Sequence, residues 1–150
     1  MVIADREYFV ILPKYSNSDE RGARQRISIR ALERYARDMA DQFGGVTVHP
    51  SVLGCARSPE GELACEEVIK LLSNRDFETT KGRPETILNH DRRFMRELAE
   101  TAAEEFGQWS VITSEDTHSD VHFSRNFRAE RVRPGLQASA SEVFARLLSN

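Results

Sequence analysis

Between Ser28 and Gly45 the chain spells out an amphipathic helix with both ends marked, and this segment constrains everything around it. Leu32, Tyr35, Ala36, Met39, Ala40 and Phe43 recur at the three- and four-residue spacing that lines one helical face. Ser28 is a good N-cap, because its hydroxyl can accept from an otherwise unpaired N–H of the first turn, and Ile27 with Leu32 fits a hydrophobic staple. Gly44-Gly45 supplies the left-handed backbone that ends helices. A helix with one apolar stripe needs a second surface to cover that stripe, and the flanking segments read as strands. Tyr8 to Leu12 is a short apolar run ending at Pro13, as in a buried strand. Val46, Val48, Pro50 and Val52 alternate with Thr47, His49, Ser51 and Leu53, as in a half-buried one.

The remaining segments are less sharply marked. Lys14 to Arg26 is a polar loop. Residues 62–72 allow two readings. They form either a helix opened by Ser58-Pro59, with Ala64, Val68, Leu71 and Leu72 on one face, or the return strand of a hairpin closed at Glu60-Gly61. Local propensity leans towards the helix, since Glu, Ala and Leu dominate. Ser73 to His90 reads as a second polar loop broken by Lys81-Gly82-Arg83-Pro84. Asp91 then caps a helix whose buried face is Phe94, Met95, Leu98, Ala102 and Phe106, ended by Gly107. Trp109 to Thr113 reads as a strand, Ser114 to Asp120 as a turn, and Val121 to Val132 as a further strand broken by Pro134-Gly135. A short C-terminal helix follows, with Ser139 and Glu142 as its capping box. The order β-α-β-(β)-α-β predicts one α+β domain over residues 1–150. It is a ferredoxin-like sandwich, an antiparallel sheet with two helices on one face, plus a C-terminal strand or hairpin and the short helix.

Composition agrees with a folded, well-solvated domain: 39% of the 150 residues are hydrophobic, 30% are charged, and the mean hydropathy is −0.52. No apolar run approaches the ~20 residues of a membrane span, and no basic stretch precedes an apolar one at the N-terminus. A cytoplasmic location and no membrane partner are therefore expected. Cys55 and Cys65 flank Ser58-Pro59-Glu60-Gly61 and would lie nearly opposite in a hairpin. For a cytosolic chain reduced thiols are the expectation. C-x-x-C and H-x-x-x-H spacings are both missing, so neither a metal nor another cofactor is expected. Glu115-Asp116 with His118 and Asp120 offers oxygen and nitrogen ligands, but turns are rich in such residues anyway.

Phe43-Gly44-Gly45-Val46-Thr47-Val48-His49-Pro50, followed by Gly54, Pro59-Glu60-Gly61, Glu67, Phe106-Gly107-Gln108 and Val111-Ile112, resembles a family of small, uncharacterised prokaryotic and phage proteins. The resemblance covers roughly residues 8 to 113. It implies a ferredoxin-like domain, with a strand after the turn, and implies no activity. Ser51 and Cys55 depart from the pattern, where a glycine and an aromatic would be expected.

Two constellations could carry chemistry. His49-Pro50-Ser51 and His122-Phe123-Ser124 each place a histidine and a serine on the polar side of a predicted strand. This resembles the two-histidine phosphoesterases. That resemblance implies His49 and His122 as general acid and base, Ser51 and Ser124 as phosphate holders, and Arg128 as charge balance. Serine two places after histidine is also common by chance. The second constellation is basic. Arg26, Arg30, Arg34 and Arg37 follow at i, i+4, i+8 and i+11 along one helical stripe, within a segment from Lys14 to Arg37 holding seven basic and three acidic residues. Arg125, Arg128, Arg131 and Arg133 cluster around Phe123 and Phe127. Such faces hold phosphate backbones or stacked nucleotides. A solvated helix face is the plainer account, since the whole chain carries a formal charge of −3. The sequence thus points to a small binding module of phage or mobile-element type, recognising a nucleotide, a nucleic acid or a protein partner through its arginines. The alternative is a metal-independent, two-histidine phosphodiesterase acting on a nucleotide or RNA. A self-pairing sheet edge would make a homodimer.

Overall fold

The computed structural model describes residues 5–16, 21–57, 59–108, 111–118 and 140–148. Its elements are β1 (Asp5–Pro13), α1 (Ile29–Phe43), β2 (Thr47–Arg57), β3 (Leu63–Arg75), α2 (Pro84–Glu105), β4 (Thr113–His118) and α3 (Ala140–Leu148). The strands lie in the order β2-β3-β1-β4, and every neighbouring pair is antiparallel. This is the ferredoxin-like sandwich that the element order predicts.

The marked helix forms as its sequence dictates. Ser28 Oγ accepts from the Ala31 N–H at 3.1 Å, and Gly44, at φ 87°, ends α1 by donating its N–H to the Ala40 carbonyl. Leu32, Tyr35, Ala36, Met39 and Phe43 all point into the core. There they meet Tyr8, Val10 and Leu12 of β1, Ile69 and Leu71 of β3, and Met95, Leu98 and Ala102 of α2. Phe144 and Leu148 of α3 close one end.

Residues 62–72 resolve as strand from Leu63 onward. β3 pairs with β2 on one side and β1 on the other, and this two-sided pairing of Val68, Leu71 and Leu72 outweighs the local helix propensity. Gly61, at φ 85°, makes the turn before it.

Three expectations are corrected. First, α2 starts at Pro84, well before Asp91, and the polar loop shrinks accordingly. Asp91 is a buried member of the helix with no solvent exposure. It receives Arg75 Nε at 2.8 Å, Arg75 Nη2 at 2.7 Å and Gln42 Nε2 at 2.8 Å, which ties α2 to β3 and α1. Second, Ser114 to His118, expected as part of a turn, belongs to strand β4, which begins at Thr113. The segment is polar because it is an edge strand, and its conformation comes from pairing with β1. Ile112, expected within a strand, only lends its carbonyl to the Ile11 N–H at 2.9 Å. Third, Cys55 and Cys65 are directly opposite in the β2–β3 register and joined as a disulfide, where free thiols were expected from the compartment alone. The strand expected at Val121–Val132 lies outside the described residues.

A candidate ligand groove on the open sheet face

Strand alternation divides the sheet into two faces. Tyr8, Val10 and Leu12 point at the helices, so Phe9, Ile11 and Pro13 point away, in register with Leu72, Lys70 and Val68 of β3. On β2, His49 lies opposite Lys70. An irregularity then matches three steps along β2 to two along β3, so that Val52 faces Val68. Pro50 sits in this bulge on an edge strand, where its missing N–H costs no ladder bond. Beyond the bulge Gly54 and Ala56 join the face turned away from the helices, opposite Glu66 and Ala64.

These small residues leave a hollow. A groove of about 500 Å³ opens there, with Ile11, Pro13, Val68 and Ile112 among its apolar lining and no helix residue in its wall. A Cβ on Gly54 would sit 3.5 Å from the Val68 methyls, in ordinary contact, so glycine here keeps the groove open without being sterically compelled. Ile112 is 62% exposed. The polar lining is sparse: Arg24, Glu66 and Gln108, next to the Cys55–Cys65 bridge.

Arg24 is held out over the groove by the loop after β1. Its Nε donates to the Ser16 carbonyl at 3.0 Å, its guanidinium lies 5.7 Å from the Tyr15 ring centre, and Nη2 reaches Glu66 at 2.7 Å. Both partners of that ion pair are well exposed, so it contributes little, about 0–1 kcal/mol, and its arginine can re-partner at small cost. Glu67, the next residue along β3, belongs to the opposite face. There the Lys14 ammonium is buried beside it at 3.4 Å, and Ser51 Oγ donates to the other oxygen of its carboxylate at 3.1 Å. An apolar floor of the groove's volume, with few polar groups at its edge, is the usual composition of a small-molecule site.

The arginine stripe has a different character. Arg26 donates to the Leu148 carbonyl of α3, Arg34 pairs with Glu105 of α2, and Arg37 pairs with Glu33 at 2.6 Å. Glu105 also accepts from the Tyr35 hydroxyl, and the Arg34 guanidinium holds its carboxyl below the usual range. Only Arg30 of the four has no partner among the described residues. Only Arg34 thus ties α1 to another element, α2; Arg26, in the loop before α1, holds α3, and Arg37 is spent within α1 itself. His49 is exposed on edge strand β2, away from the groove lining. His122, Ser124 and Arg128 lie outside the described residues, so the structure describes one half of the two-histidine constellation. Glu115 and Asp116 are consecutive on β4 and point to opposite faces, which separates that acidic pair as ligands. Among the described residues no group of three metal-binding side chains forms, and no helix is long and apolar enough to cross a membrane.

Sequence reasoning singles out neither Arg24 nor Glu66. It does single out Gly54, Gln108 and Ile112, which fall far apart in the chain and converge on this groove.

No protein-family model and no curated protein matches the chain. Solved structures do. A phage SAM lyase in complex with S-methyl-5′-thioadenosine superposes with a TM-score of 0.53 at 11% identity, over 78% of this chain and 84% of its own. The divalent cation tolerance protein CutA1 of Thermus thermophilus gives 0.47 at 10% identity, over 79% and 87%. CutA1 of Ehrlichia chaffeensis gives 0.48 at 5%, over 81% and 88%. At these identities the likeness is one of fold: the chain is a ferredoxin-like α+β protein.

Proposed function

We propose that this protein is a binding module for a small ligand that joins a flat, largely apolar ring to a polar or anionic tail, a nucleoside or nucleotide, held in the open-face groove. The observation that carries this reading is the pairing of an apolar floor with one re-partnering guanidinium, that of Arg24, at its edge. A ring lies over Ile11, Val68 and Ile112. The Gln108 carboxamide, whose Nε2 also donates to the Phe106 carbonyl at 3.3 Å, offers a donor to a ring nitrogen and an acceptor to an exocyclic amine. Arg24 leaves Glu66 for a phosphate, which it can grip with two parallel donors. The phage SAM lyase of the same fold is known with S-methyl-5′-thioadenosine bound, which agrees in ligand class.

Calorimetric titration with adenosine, adenosine monophosphate and S-methyl-5′-thioadenosine tests the reading. Saturable binding of at least one is expected. Arg24→Ala should weaken the monophosphate about tenfold, the equivalent of ~1.4 kcal/mol for one charge-assisted hydrogen bond, and leave the uncharged nucleosides nearly unchanged. No saturable binding by any of the three would overturn it.

A further inference from the structure

A second cleft of about 380 Å³ opens on the other side of the sheet, between α2 and β4. Tyr8, Arg92, Arg96, Glu100 and Glu115 are among its lining residues. Two features set it apart from an ordinary surface crevice. Tyr8 is 1% exposed, yet its hydroxyl has no hydrogen-bond partner among the described residues, the only buried side-chain oxygen or nitrogen there in that position. Buried hydroxyls are nearly always paired, and this one belongs to a residue that lines the cleft wall. The cleft also holds an arginine that its paired acid does not engage. Glu115 takes Arg92 at 2.7 and 2.8 Å and Arg6 at 3.1 Å. Arg96, one turn further along α2, is exposed and forms no ion pair among the described residues, including with Glu100 one turn beyond.

We infer that this cleft binds a small oxyanion, a phosphate or a carboxylate, one oxygen accepting from the Tyr8 hydroxyl and another from the Arg96 guanidinium. Tyr8 suits a donor's role. Burial, and then the nearby Glu115 and Asp91 carboxylates, push its phenol far above the usual range, so the proton stays on oxygen. The tyrosine body is fixed by stacking on Phe43, ring centres 5.0 Å apart, so the donor is already oriented. The site is independent of the groove, since the two share no lining residue.

The test is an NMR titration of the full chain with inorganic phosphate and with sodium acetate, each at constant ionic strength, following the Tyr8 ring and Arg96 Nε signals. Saturable shifts of both signals are expected with one probe, and the tighter probe identifies the anion class. Tyr8→Phe and Arg96→Gln should each weaken binding about tenfold or more, corresponding to one lost charge-assisted hydrogen bond. Tyr8→Phe should fold at least as stably as the parent, because the unpaired hydroxyl goes with the substitution. Arg30→Gln, which changes the net charge equally but lies on α1, should leave binding unaltered. Failure of both probes to saturate, unchanged affinity in Tyr8→Phe, or an equal loss in Arg30→Gln would each overturn the inference.

Discussion

The two faces of the sheet are built from neighbouring residues of the same strands, yet they follow opposite rules. On the helix side, Val10, Leu12, Ile69 and Leu71 are sealed, and the buried charge pair of Arg75 with Asp91 has its donors and acceptors matched to Gln42 as well. On the other side, Ile112 is left in solvent and small residues stand where bulky ones would fill the space. Stability resides on the first face, and the second is free to hold a ligand. Under that division, the same kind of substitution must have very different consequences on the two sides.

The largest effect is expected from Asp91→Ala. It strands the Arg75 guanidinium in the core, and losses of about 3–5 kcal/mol are typical of breaking a buried pair from one side, measurable as a shift in urea midpoint. Removing the bridge with Cys55→Ser and Cys65→Ser together should cost up to about 2–3 kcal/mol on the chain-entropy view, for a cross-link spanning 10 residues. Because the bridge pins the stretch of β2 and β3 that carries the groove residues Gly54, Ala56, Ala64 and Glu66, nucleotide affinity should fall with it, whereas Asp91→Ala in its folded fraction should bind normally. Ser28→Ala removes the α1 cap and should lower stability by about 1 kcal/mol without touching binding.

Acid sharpens the comparison further. Hydrogen bonds from Arg92 to Glu115, and from Arg34 to Glu105, hold both carboxyls below their ordinary 4.5 in the folded state. Their stabilisation is therefore complete above that value and is lost as pH falls through the lower folded-state values. Glu115→Gln should flatten the acid limb of a stability–pH curve recorded by circular dichroism. The smallest change in stability belongs to Ile112→Glu, within about 0.5 kcal/mol as for other exposed positions. This variant should nevertheless abolish groove binding. Equal destabilisation by Asp91→Ala and Ile112→Glu would break the division of roles outright.

What the sequence discloses about this fold depends on whether the information is local. The α1 helix is legible because cap, staple, stripe and stop all lie within Ile27 to Gly45 and agree with one another. Asp91 misleads because an aspartate at the head of an apolar stripe looks like a cap, and only the tertiary approach of Arg75 explains why it can lie inside a helix. β4 escapes for the converse reason: Thr-Ser-Glu-Asp-Thr-His carries no strand signal of its own and takes its conformation from the ladder with β1. The candidate site is half legible. Gly54, Gln108 and Ile112 stand out in a pattern of residues, but nothing in the chain shows that they meet. Arg24 belongs to a charge-rich segment in which the periodic arginines of α1 are far more conspicuous. Of those helix arginines, Arg34 and Arg37 are spent in ion pairs with Glu105 and Glu33, which charge periodicity alone does not distinguish from a binding face.

The irregularity in β2 has a consequence for how this protein can vary. A strand has parity, odd residues to one side and even to the other, and the step between His49 and Val52 reverses it for all that follows. Because of it, Gly54 and Ala56 line the hollow while Leu53 and Cys55 turn away from the open face. Were β2 to run on from His49 without the bulge, Ser51 would take the place opposite Val68, and leucine and cysteine side chains would fill the space a ligand needs. Yet the spare residue can be lost. Deleting Ser51 removes the bulge and leaves Val52 opposite Val68, Gly54 opposite Glu66 and the two cysteines in register. At this one point in the strand, the loss of a residue is absorbed where elsewhere it would turn the strand over, so the hairpin carries its own site of tolerance for a deletion.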